Sequence, residues 1–137
     1  IKQLWGSNIV ILAGGGGIPV VENSDGSLSG IAAVIDKDLS AGCFAEAIEA
    51  DVFLILTGVE RVCLNYGKEN QKELGKITVA EAKEYIEQGH FPPGSMLPKI
   101  MAGINFASKF PGKKAIITSL YRAIDSLEGK TGTEITL

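Results

Sequence analysis

At 137 residues, with 45% hydrophobic and 21% charged residues, the chain has the composition of one ordinary globular domain. A net charge of −3 and scattered lysines and arginines exclude a polyanion-binding surface, so nucleic acid is not an expected partner, although two or three placed cations suffice for one phosphorylated small molecule. Two cysteines and a single histidine exclude a thiolate zinc site, and no apolar run approaches the ~18 residues of a membrane helix.

The sparse cysteines imply a reducing, cytoplasmic setting. The chain opens at Ile1 without an initiator Met, which points to a fragment or a processed chain. No repeat or linker divides it, so residues 1–137 are expected to form a single domain.

In chain order, Asn8–Gly14 (NIVILAG) is a β-branched, continuously apolar run, the pattern of a strand buried on both faces of a parallel sheet. Gly14, Gly15, Gly16 and Gly17 follow. Four consecutive glycines are costly to immobilise, which is explained by a tight turn or by main chain that must lie against an anion. Val21–Gly30 carries Asp25-Gly26 between extended pieces, a hairpin signal that reads as a decoration near residues 20–30. From Asp38 to Ala50 the positions Leu39, Cys43, Phe44, Ala47 and Ile48 recur at helical spacing, so Cys43 reads as a small buried hydrophobe.

Asp51–Val59 is a second buried strand, whereas Leu64–Ile77 is polar, irregular and loop-like. Thr78 and Glu81 match a capping box for a helix whose Val79, Ala82 and Ile86 share one face up to the stop at Gly89. In Phe91–Phe110, Ser95 is the expected cap of a helix that tolerates Pro98 in its first turn and buries Ile100, Ile104 and Ala107. KAIITSL is a third buried strand, Tyr121–Leu127 a short helix, and GTEITL a final antiparallel edge strand. This alternation predicts an α/β fold, a three-layer αβα sandwich with a mainly parallel sheet.

In such a sheet the glycine loop, the IDKD turn (Ile35–Asp38) and LTGVE (Leu56–Glu60) end at one edge, where ligands bind in open α/β folds. Lys37, between Asp36 and Asp38 at a helix start, opposes the helix dipole unless an anion offsets it; taken alone, a capping aspartate beside a solvated lysine is the plainer reading, and Asp38 is itself a possible N-cap. Lys99, one turn into its own helix, poses the same choice. Two lysines and a glycine-rich turn at one edge together form a phosphate site of the kind phosphoryl transfer requires. The spacing of a P-loop is absent, and so is the GxGxxG register of a dinucleotide fold. His90, beside Phe91, reads as a loop histidine, while Trp5, Tyr66 and Met96 fit an adenine slot as well as ordinary packing.

The segments AGGGGIPV, AVIDKD, ADVFLILTGVE, HFPPGSMLPK and GTEI, in this order and at these distances, resemble the C-terminal half of bacterial carbamate kinases, which have the amino acid kinase fold. The resemblance implies reversible phosphoryl transfer, carbamoyl phosphate plus ADP giving ATP and carbamate, with magnesium. It implies that Lys37 contacts the transferred phosphate, that Asp38 orients the lysines, and that Lys99 partners the nucleotide's terminal phosphates. Thr57, Gly58, Tyr66 and Met96 would then lie near the ATP or ADP, and Gly14 to Gly17 near the junction with the substrate half. No residue is implied as a metal ligand, the parent is expected to be a homodimer, and no membrane partner is implied.

Two positions depart from the family pattern: Gly58 replaces the Asp of LTDV, and Leu97 the second Gly of GSMGPK. Nothing in the chain matches the GGNA-like loop of the substrate-binding half, so that half is expected to be absent and this piece inactive alone. The alternatives are a non-catalytic nucleotide-binding module and another kinase of the same fold.

Overall fold

The computed structural model describes residues 2–12 and 15–137. In chain order its elements are β1 (Val20–Glu22), β2 (Leu28–Gly30), α1 (Lys37–Ala47), β3 (Val52–Thr57), β4 (Cys63–Leu64), β5 (Lys72–Glu73), β6 (Lys76–Thr78), α2 (Val79–Glu87), α3 (Met96–Lys109), β7 (Lys114–Ser119), α4 (Ala123–Leu127) and β8 (Thr133–Thr136), with a 3-10 turn at Leu120–Arg122.

Four strands form the central sheet in the order β3-β7-β8-β6. β3 and β7 run parallel from Val52 opposite Lys114 to Thr57 opposite Ser119, and β6 and β8 are also parallel; only the β7–β8 pairing is antiparallel. Strand alternation along β7 sends successive side chains to opposite faces. One face packs under α3: a Cβ added at Gly103 would stand 2.9 Å from Ile135 Cδ1 and 3.3 Å from Ala115 Cβ. The other carries Ile116 and Thr118, which together with Ser126 of α4 lie 3.1 to 3.3 Å from the place of a Cβ on Gly132. The result is a mixed α/β fold in three layers around a mainly parallel sheet, as expected.

The core lies between the sheet and α1–α3. Phe53 and Phe106 meet with ring centroids 5.7 Å apart, and Ile100, Ile117 and Ile135 are fully buried. Each such side chain contributes roughly 1.5–3 kcal/mol by leaving water.

Four expectations are corrected. The described part of the first apolar run, Asn8–Leu12, is not a strand: Ile9 and Ile11 are 97% and 92% exposed. β-Branched residues need a paired neighbour to hold a strand, and this backbone pairs with none, leaving Val10 and Leu12 beside Trp5 and Ile48. Ala13 and Gly14 lie outside the described residues. The stretch Leu64–Ile77, expected as loop, contains the β4–β5 hairpin and strand β6, the latter recruited by pairing with β8, a tertiary contact that no local pattern announces. For the same reason β8 is antiparallel to β7 but interior, with β6 as the edge. Finally, Cys43 is exposed, because α1 turns Asp38, Gly42 and Ala45 inward rather than the larger stripe. Gly42 allows this rotation: a Cβ there would stand 3.6 Å from Ala102 Cβ and 3.7 Å from the Phe53 ring, so the two helices pack with little between them.

Candidate active site

The start of α1 is built by Asp36. Its backbone is extended and its Oδ1 accepts hydrogen bonds from the amides of Asp38 (2.8 Å) and Leu39 (3.0 Å), satisfying two of the donors that a helix start leaves free. Asp36 is therefore the N-cap, and Asp38, the other possibility, has its carboxylate available for something else. That carboxylate points into the α1–α3 seam, where its Oδ2 accepts from Lys99 Nζ at 2.7 Å. Both residues are only 9% exposed. The Lys37 ammonium, largely solvated, stands 3.6 Å from the same oxygen. Two cations from the first turns of two helices thus meet on one carboxylate, each set where the helix dipole is unfavourable to a positive charge.

The glycine loop reaches this point through its backbone. Gly16 has φ +115°, and a Cβ on it would fall 2.8 Å from the carbonyl oxygen of Ile35 and 3.5 Å from Lys37 Cα. Its own carbonyl accepts from Ser40 Oγ at 2.6 Å. Gly17 is also left-handed (φ +119°), whereas Gly15 is open to solvent. At Gly16 the main chain closes on the turn that presents Lys37, a tight contact within the chain, which leaves the choice between a tight turn and an anion cradle as it stood.

A cavity of about 210 Å³ opens beside the C-terminal end of β3 and the start of α3. It brings together Thr57, Gly58, Tyr66 and Met96, all singled out from the sequence, and adds Cys63, which was not, and His90, which reads from the sequence only as a loop histidine. Trp5 is not among its walls; it stands with Ile48 at the far end of α1. Burial pushes the Cys63 thiol up from its ordinary value, and the Glu73 carboxylate adds to that. His90 bonds Gln88 through Nε2 at 3.1 Å and meets the Tyr85 ring edge-on. The one signal for His90 in the sequence is its place at the head of HFPPGSM, the segment that leads into α3. Cavity and ion pair share that helix: Met96 is in the cavity wall, and Lys99 follows one turn later. Ser95 makes no side-chain cap, so the expected cap is absent and the first amides of α3 gain no hydroxyl or carboxylate partner from it.

The amino acid kinase family model matches residues 1–119. The chain belongs to the amino acid kinase family. Among curated members it is 53% identical to the carbamate kinase of Thermococcus kodakarensis over 93% of its own length and 40% of that protein's, and 53% identical to the carbamate kinase of Clostridium perfringens over 98% and 43%. Carbamate kinase from Giardia lamblia bound to AMP-PNP superimposes with a TM-score of 0.84 at 43% identity, covering 89% of this chain and 42% of that one. The fold alone is shared with more distant structures: uridylate kinase from Archaeoglobus fulgidus gives a TM-score of 0.57 at 21% identity. The chain spans about 40% of the length of the relatives it matches. Among its described residues no helix is long and apolar enough to cross a membrane.

Proposed function

We propose that these 137 residues supply the nucleotide side of a carbamate kinase, the C-terminal part of an enzyme that moves a phosphoryl group between carbamoyl phosphate and ADP to give ATP and carbamate. The observation that carries this reading is the meeting of Lys37 and Lys99 on Asp38 Oδ2, at 3.6 and 2.7 Å. Phosphoryl transfer asks little covalent chemistry of a protein; it needs the phosphates positioned and their charge matched.

Each residue then has a role. A buried lysine has three donors, and among the described residues only Asp38 takes one from Lys99. The remaining donors are free for the terminal phosphates of ATP or ADP. Lys37, with its ammonium largely exposed, contacts the phosphate that moves. Asp38 holds both ammonium groups in place and keeps the buried cation compensated before a nucleotide arrives. Gly16 fixes the IDKD turn by backbone contact alone. The nucleotide's flat, largely apolar part occupies the cavity lined by Thr57, Gly58, Tyr66 and Met96, with its phosphates running along the uncapped start of α3.

The described residues bring no three potential metal ligands together, and of the two carboxylates at the site Asp36 caps α1 while Asp38 is committed to lysines. They do not form a cage for magnesium, so no step here is assigned to a protein-held metal; an ion of this kind would travel on the nucleotide's phosphates. The carbamoyl phosphate side of the reaction, the homodimer and the cytoplasmic setting belong to the proposed parent enzyme.

The test is a coupled assay of ATP formation from carbamoyl phosphate and ADP. The 137-residue chain alone is expected to bind nucleotide without turnover. Turnover by this chain that Lys99→Ala abolishes would show that the substrate side is carried here as well, and failure to bind ADP or ATP at all would overturn the reading.

A further inference from the structure

A second cavity, of about 310 Å³, is lined by Arg61, by Lys76 on β6, by Glu134 on β8, by Gly129, Thr131 and Gly132 of the loop that follows α4, and by Ile116. Neither Lys37 nor Lys99 lines it. The loop is held tightly in shape: Gly132 has φ +87°, and a Cβ on it would stand 3.1 to 3.3 Å from Ile116, Ser126 and Thr118.

The charges around this cavity are unevenly paired. Glu134 is bracketed by Lys76 (3.0 Å) and Lys114 (2.8 Å), and nearby Glu60 is taken by Arg122 (3.4 Å) and by the Thr131 hydroxyl (2.6 Å). Arg61 is left over. Among the described residues Arg61, of intermediate exposure, forms no ion pair and donates no hydrogen bond, and its Nη1 stands 3.8 Å from the place of a Cβ on Gly75 at the cavity wall. A guanidinium carries five donors in a planar fork that matches carboxylate and phosphate oxygens two at a time.

We propose that this cavity binds a small oxyanion, a phosphate or carboxylate, in the fork of Arg61, with Lys76 supplying a second charge. The volume corresponds to roughly ten waters at ~30 Å³ each, enough for inorganic phosphate or a short dicarboxylate with part of its hydration. The site is separate from the phosphate position proposed at Lys37 and Lys99, and it stands or falls independently of the kinase reading.

Amide chemical shifts of the 137-residue chain test this, with inorganic phosphate and succinate titrated separately to distinguish the two anion types. Saturable shifts at Arg61 and Gly129–Gly132 are expected with at least one of them. Arg61→Gln should weaken that binding at least tenfold, and Arg61→Lys, which keeps charge and most of the packing, several-fold. Arg61→Lys also decides the matter should Arg61→Gln fail to fold. Shifts that never saturate, binding unchanged in the substituted chains, or shifts confined to the segments around Lys37 and Lys99 would overturn the proposal.

Discussion

Lys99 Nζ sits 2.7 Å from Asp38 Oδ2 across the seam between two helices, with both residues nine-tenths buried. The two partners are not equivalent. Removing the carboxylate strands a buried ammonium, whereas removing the lysine leaves an aspartate that Lys37 still faces at 3.6 Å. Asp38→Ala is therefore expected to cost about 3–5 kcal/mol of stability, the typical penalty for breaking a buried pair. Lys99→Met, which fills the seam with an apolar side chain, should cost clearly less. Urea unfolding of the two variants measures the difference.

Gly16 gives a second prediction. At φ +115°, with the Ile35 carbonyl 2.8 Å from the place of a Cβ, alanine must move the loop or the IDKD turn. Gly16→Ala is expected to lower stability by about 1–3 kcal/mol, and Ser40→Ala, which removes only the hydroxyl bond to the Gly16 carbonyl, by about 1 kcal/mol. Gly15→Ala should be near neutral, since nothing lies within 4 Å of its added carbon. Thermal unfolding of the three variants checks the order.

These positions show what the sequence revealed and what it withheld. The strands Val52–Thr57 and Lys114–Ser119, the capping box of Thr78 and Glu81, and the buried face of Ile100, Ile104 and Ala107 were legible because each rests on local pattern: apolar runs, cap chemistry, helical spacing. Lys37, Asp38 and Lys99 were legible as a set because each opens a helix. Asn8–Leu12, β6 and the rotation of α1 were not, since each depends on which backbone or helix lies alongside. Cys63 and His90 escaped for a related reason: they face the cavity only after the β4–β5 hairpin and the HFPPGSM turn have folded toward each other.

Acid sensitivity should trace in part to Glu134. Burial alone would raise its carboxyl, but hydrogen bonds and charge from Lys114 and Lys76 outweigh that and hold it below the ordinary carboxylate value. A group with a depressed native value adds stability above its unfolded pKa and loses it as pH falls through the native one. Glu134→Gln is thus expected to reduce stability at neutral pH and to flatten the fall on acidification from about pH 5 downward. Unfolding curves across that range provide the measurement.

The two thiols should separate cleanly. Cys43 is exposed on α1, while Cys63 is buried in the cavity wall with its thiol pushed up by burial and by Glu73. Iodoacetamide is expected to alkylate Cys43 first, and saturating ADP to slow Cys63 alone. Peptide mapping by mass spectrometry reads both rates.

The most direct test of a shared phosphate position is calorimetric titration of ATP and of adenosine into the wild-type chain and Lys99→Met. ATP affinity is expected to drop at least tenfold in the variant while the weaker binding of adenosine stays the same. Equal ATP affinity in both chains would contradict the placement of the nucleotide's phosphates at Lys99.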